Sequence, residues 1–209
     1  MEYQATSLLG SKEIGIEFTD KPVTAWGGLI LFAGLGRQIG LERALREALP
    51  FELTSPNATD PVEIVLAFMA GVLAGSRRLA HVERLRWDEC VRQMLGIKRF
   101  VSDTTLARFF RRFAAGTVTT VFEQLMVWQM KLVELNEDIL DLDSTIMERY
   151  GKQEGVFLGY NPKKHRRPSH HPLLATLGSR PWIVHAWLRS GNTTSARGAE
   201  QFLNETLAM

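Results

Sequence analysis

The 209-residue chain has a single cysteine, Cys90. A lone thiol excludes an internal disulfide and a thiolate zinc cluster, since each needs at least two sulfurs. Long hydrophobic runs are missing as well. No apolar stretch reaches the roughly 18 residues that cross a bilayer, and the opening MEYQATSLLGSKE lacks the basic start and apolar middle of a signal peptide. These absences point to a cytoplasmic protein. Nor is there a large excess of one charge: 25 Lys and Arg stand against 23 Asp and Glu, a net +2. The balance hides a pattern. Residues 1–60 carry 5 basic and 8 acidic groups, 77–112 carry 10 and 4, 113–150 carry 2 and 7, and 151–209 carry 8 and 3. Two basic blocks flank an acidic one, which suits a polyanion-binding surface beside a cation-binding site.

With 45% hydrophobic residues the chain can bury a core, and its length allows one large domain or two small ones. EIGIEF (13–18) alternates like a short strand. LILFAGLGRQIGLERALREALP reads as a buried helix, a glycine turn and an amphipathic helix. Gly34, Gly36 and Gly40 are spaced GxGxxxG with no Lys-Ser/Thr, so close helix packing is the better account than a phosphate loop. Asp60 as N-cap and Pro61 at the first helical position open the long apolar helix PVEIVLAFMAGVL, expected at the centre of a helical domain. Two short amphipathic helices follow, ended by Gly96. Ser102 or Asp103 caps TTLARFFRRFAAG, with Gly116 placed to end it, and 117–135 forms another helix.

The segments 88–95 and 103–114, joined by a tight loop, have helix-turn-helix proportions. Arg108, Arg111 and Arg112 share one helical face by their spacing. That face suits phosphates or a groove, or else it is a solvated stripe over Leu106, Phe109, Phe110 and Phe113. After about Asn136 the texture changes. ILDLDSTIM (139–147), HPLLATLG (171–178) and PWIVHAWLRSG (181–191) read as three strands, and 193–209 as a helix capped by Thr193 or Thr194.

In the first strand Asp141 and Asp143 fall on one face, about 7 Å apart. Burying either without a partner costs several kcal/mol, so a cation is expected beside them. The loop 149–172 then places Lys163, Lys164, Arg166 and Arg167 within five residues. Cations that hold phosphates next to a metal-binding carboxylate are what phosphodiester chemistry requires. His165, His170 and His171 read as polar loop residues rather than zinc ligands, because no thiol accompanies them.

DLDSTIMERYGKQEGVFLGYNPKKHRRPSHHPLLA and LRSGNTTSARGAEQFL resemble the DDE transposases of insertion sequences, specifically the insertion sequence 1380 group. The likeness is most specific over 139–209 and softer over 25–135, where SDTTLARFFRRF is similar to the family's amino-terminal region. It implies an α+β fold: a helical DNA-binding region, then a ribonuclease-H-like core of which three antiparallel strands and one helix are present. The implied domains are an arm at 1–24, a helical DNA-binding region at 25–135 and the start of a catalytic domain at 136–209. The family's first catalytic Asp precedes a Ser/Thr-Thr pair, so the resemblance assigns catalysis and metal binding to Asp143, with Mg²⁺ as the ion, and leaves Asp141 a neighbour. It implies contact with double-stranded DNA at transposon ends, for which spacing and position offer Arg108, Arg111, Arg112, Lys163, Lys164, Arg166 and Arg167. A second copy of the chain or a missing carboxy-terminal part is the protein partner, in a nucleoid-associated location away from membranes. No aspartate follows Asp143, and Glu148, Glu154, Glu200 and Glu205 do not match the family's later motifs. The chain is therefore expected to be the amino-terminal portion of a transposase whose complete form cleaves and transfers DNA strands, or else a non-catalytic DNA-binding remnant.

Overall fold

A computed structural model describes residues 20–53, 55–133, 138–161, 164–178 and 182–209. The strand expected at 13–18 and Lys163 lie outside the described residues. The fold is α+β, with helices first and an antiparallel sheet after them. It divides into two compact units on either side of the Ala114–Ala115 bond.

The first unit is helical. Helix α1 (Leu29–Gln38) leads through Gly40 into α2 (Leu41–Ala48). Gly34 and Gly36 thus sit inside a helix rather than in a phosphate-binding loop. The expectation that α1 is buried needs correction. Leu29 and Ala33, four residues apart, pack inward, whereas Leu31 is 76% exposed and Leu35 55% exposed. Among the described residues, one stripe of this apolar helix is covered.

Helix α3 (Pro61–Leu73) starts as expected, with the Asp60 carboxylate accepting from the Val62 backbone N–H at 2.9 Å. Ile64, Ala67 and Ala70 carry it into the core. Next come the short α4 (Leu79–Val82), a 3₁₀ turn at Glu83–Leu85, and α5 (Glu89–Leu95), which Gly96 ends in the left-handed conformation at φ 68°. The Ser102 hydroxyl caps α6 (Asp103–Phe110) by accepting from Thr105 N–H. Val82, Leu85, Val91, Ile97, Phe100, Val101, Leu106 and Phe109 complete the core.

One boundary is corrected here. Gly116 does not end the helix of residues 104–116; α6 stops at Phe110, and Gly116 lies inside the next helix, α7 (Ala115–Met130). The turn at 111–114 lets Phe113 swing onto Phe51, whose ring it meets edge-on at 4.7 Å, while Phe109 meets the same ring at 5.6 Å. Phe109 and Phe113 also meet each other edge-on at 5.4 Å, so the three rings form one aromatic cluster. Phe110, expected in the core, is 36% exposed and touches Phe68.

The second unit begins with α7. The helix expected over 117–135 is present but stops at Met130, with a turn at 131–133, and α7 belongs with the sheet. Strands β1 (Leu140–Ser144), β4 (Leu173–Leu177) and β5 (Trp182–Trp187) form a three-stranded antiparallel sheet in the order β1-β4-β5. Between β1 and β4 the chain makes a small ladder of β2 (Met147–Glu148) with β3 (Ser169–His170). Leu173, Ala175 and Leu177 alternate onto one face of β4, where Phe202 of α8 (Ala199–Leu207) and Met130 of α7 pack.

The last helix starts later than Thr193 or Thr194. Its N-cap is Gly198, at φ 76° and against Trp187. The Arg189 guanidinium holds residues 194–197 as a turn, donating to the carbonyls of Thr194 (3.2 Å), Ser195 (3.2 Å) and Arg197 (2.7 Å). Those carbonyls are the acceptors that a helix from Thr193 would need for itself.

Candidate nucleic-acid interface and carboxylate strand

The pairing register fixes which side chains share the carboxylate face. Asp143 lies opposite Leu174, and Asp141 opposite Thr176. Directly paired residues point to the same side of a sheet, so this is the face away from Leu173, Ala175 and Leu177. Both aspartates are exposed. Leu174 and Thr176 are half-buried, and Ile183, paired with Thr176, is 43% exposed. The two carboxylates thus stand on an open sheet face in solvent, which removes the burial cost that a cation would have to offset.

Hard oxygen donors of this kind suit a divalent ion such as Mg²⁺. The donor set is incomplete, however. Among the described residues no group of three His, Cys, Asp or Glu side chains converges as a metal site. Asp143 fits as one ligand and not as a whole centre.

The residue after Asp143 is anchored. Ser144 Oγ lies 3.2 Å from His171 Nε2 and 3.0 Å from Ser195 Oγ. His171 Nδ1 donates to the Thr193 carbonyl at 3.0 Å, its Nε2 faces the Ser144 hydroxyl, and that hydroxyl donates to Ser195 Oγ. Arg189 Nε donates to the His171 carbonyl at 3.0 Å, and burial lowers the Arg189 pKa. The network ties the end of β1 to the 193–197 turn. Sequence reasoning missed it, and it revises the picture of the histidines. His165 is exposed, but His170 and His171 are only 5% and 6% exposed. His170 Nε2 donates to the Glu154 carbonyl at 2.8 Å. The doublet before Pro172 looked like part of a polar loop because its partners are backbone carbonyls, which no side-chain motif reveals.

The basic loop springs from the same end of β1. Lys164 Nζ pairs with Glu148 Oε2 at 2.9 Å and lies 3.4 Å from the Tyr150 hydroxyl. Arg167 stacks over the Tyr150 ring at 4.7 Å. Arg166 is exposed and adopts φ 62°. Lys164 is therefore a partly compensated cation, whereas Arg166 and Arg167 present their charge to solvent. The Lys164 hydrogen bond holds the Glu148 carboxyl below its ordinary value, and Glu148 in turn raises Lys164. For the acid, the pair's contribution is complete above 4.5 and lost as pH falls through the lowered value. For the base, it is lost as pH rises through a value above 10.5. A side-chain NMR titration should find Glu148 protonating below pH 4.5, moving back toward the ordinary value in Lys164→Met. An unchanged midpoint in the variant would remove Lys164 as the cause.

In the first unit Arg108, Arg111 and Arg112 are all exposed. Because α6 ends at Phe110, they do not continue one helical stripe. Arg111 is the C-cap residue, and Arg112 turns onto the Phe51 ring at 4.1 Å. A cavity lined by Ala33, Gly36, Gly40, Leu41, Leu66 and Arg46 contains none of the residues assigned above to DNA or metal binding.

A family model described as Transposase DDE domain group 1 matches residues 6–209. The chain belongs to this transposase family. Neither the curated proteins nor the solved structures hold a match to it. Membership in a transposase family makes DNA the partner class and a divalent metal the cofactor class to consider for the carboxylate strand. Among the described residues, no helix is long and apolar enough to cross a membrane.

Proposed function

We propose that this transposase-family chain binds transposon-end DNA and contributes Asp143 as one metal-binding carboxylate of a ribonuclease-H-like core, in the manner of the insertion sequence 1380 group. The observation that carries the reading is the position of Asp143. It is exposed on the open face of the first of three antiparallel strands, at the end from which the basic loop departs. In this reading residues 25–135 hold the DNA-binding helices, 1–24 form an arm, and 136–209 begin the catalytic core. Mg²⁺ bound there would neutralise charge developing on a transferring phosphoryl group. Asp143 would supply an oxygen ligand, Ser144 and His171 would hold its strand end, and the basic loop would hold DNA phosphates.

Among the described residues Asp143 stands as one ligand of an incomplete donor set, which further carboxylates would have to finish. The same observation supports a second reading, a DNA-binding transposase derivative without catalysis.

DNA binding is tested by salt. Neutralising Lys163, Lys164, Arg166 and Arg167 together should weaken duplex binding and flatten the slope of log K against log salt by about 0.9 per lost phosphate contact. An unchanged slope would return the loop to a solvated surface. Replacing Arg108, Arg111 and Arg112 examines the helical unit. If these arginines read bases, discrimination between transposon-end and random DNA falls by roughly 1–3 kcal/mol per lost bidentate contact. An equal loss on both DNAs would limit them to phosphate contact.

A further inference from the structure

The segment between β2 and β3 exposes apolar surface in an unusual place. Tyr150 is 74% exposed, Phe157 52%, Leu158 61% and Tyr160 75%. Scattered exposed apolar residues are ordinary, but four within eleven positions of one hairpin form a patch that calls for a partner. A floppy loop would explain such exposure; this one is pinned. Phe157 and Ser169 exchange backbone hydrogen bonds at 3.3 and 3.0 Å, Gly191 N donates to the Gly155 carbonyl at 3.4 Å, and His170 is fixed to Glu154. The rings are held out in water by backbone that cannot fold them away.

Their neighbours are cations. Arg167 stacks on Tyr150, Lys164 contacts its hydroxyl, and Lys152 and Arg166 are exposed. Aromatic faces interleaved with cations match a partner that is anionic and carries flat apolar rings. Unpaired nucleotides have both features, whereas the bases of a closed duplex have their faces covered. We infer that the Tyr150–Tyr160 segment is a stacking surface for unpaired bases of a DNA strand that extends from the Asp143 end of the sheet. This rests on the DNA-binding reading above and adds to it the state of the DNA. Tyr150 lies seven positions after Asp143, a reach of at most about 25 Å. At about 3.4 Å per nucleotide, the stacked bases lie within roughly seven nucleotides of a phosphate at Asp143.

The test uses the 209-residue chain and a fluorescent duplex, either blunt or with a seven-nucleotide 3′ or 5′ overhang. One overhang should bind at least about 5-fold more tightly than the blunt duplex. Tyr160→Ala should weaken overhang binding by roughly 5- to 150-fold, the range for losing one stacked base, and leave blunt binding unchanged. Tyr160→Phe should retain the preference, because the ring and not the hydroxyl is used. Leu158→Asn, an exposed change beside it, provides a second probe should Tyr160→Ala not fold. Equal affinity for blunt and overhang DNA would overturn the inference while leaving duplex binding intact. So would equal losses on both DNAs in Tyr160→Ala. Sedimentation showing that Tyr160→Ala dissolves a dimer without altering DNA affinity would assign the patch to contact between copies. Absence of binding to every DNA would remove the underlying reading and the inference with it.

Discussion

Gly191→Ala should unfold the sheet unit or lower its stability by about 3 kcal/mol or more, at the upper end for overpacking. A methyl group on Gly191 would overlap the Ser169 carbonyl oxygen and sit 2.5 Å from that of Phe157. On Gly159 it would overlap the carbonyl oxygen of Gly191. All the obstructing atoms are backbone, so no rotamer change relieves the clash. Three chain segments cross here: the hairpin at 157–159, β3, and the turn after β5. Separating them would break the Phe157–Ser169 and His170–Ser190 bridges and release the hairpin from the sheet. Denaturant unfolding followed by tryptophan fluorescence measures the effect, since Trp182 and Trp187 lie in β5. As a comparison, Gly116→Ala meets nothing within 4 Å and should be neutral or slightly stabilising in its helix. Equal stability of Gly191→Ala and the parent would show that the three segments do not cross so closely.

The second large effect concerns chemistry. The 209-residue chain, given transposon-end DNA and Mg²⁺ or Mn²⁺, should not cut or join strands. Phosphoryl transfer between two ions about 3.5–4 Å apart needs carboxylates converging from several elements. Among the described residues Asp141 and Asp143 share one strand with no third carboxylate converging on them, and Glu200 is an exposed first-turn residue of α8. Cleavage that requires metal and vanishes in Asp143→Ala would show that the chain completes its own site. A second polypeptide carrying the remaining family carboxylates should restore activity to the parent and not to Asp143→Ala. Failure of both, with each part folded, would remove support from Asp143.

Much of this was legible in the sequence because local chemistry announces it. Asp60-Pro61, Ser102 and Gly96 mark helix ends by capping rules that act over three or four residues. The alternation of LDLDS and LLATL set the two faces of the sheet before any register was known. The misplaced boundaries have a common origin in long-range packing. Phe113, beyond the end of α6, packs on Phe51, sixty-two positions earlier, and α8 starts at Ala199 because Arg189 takes the carbonyls that an earlier start would use. The same limit hid the Ser144–His171–Thr193 tie. Its members are scattered over fifty residues, and two of its links end on backbone carbonyls. Spacing alone could not separate Asp141 from Asp143; the resemblance did so, and both remain exposed on the same face.

That distinction is open to direct measurement. Mn²⁺ added to isotope-labelled chain broadens NMR signals close to where it binds. Broadening should centre on the amides of Leu142, Asp143 and the paired Leu174, persist in Asp141→Asn and disappear in Asp143→Asn. Broadening that survives Asp143→Asn, or that follows Asp141 instead, would contradict the assignment of Asp143 as the metal-binding carboxylate.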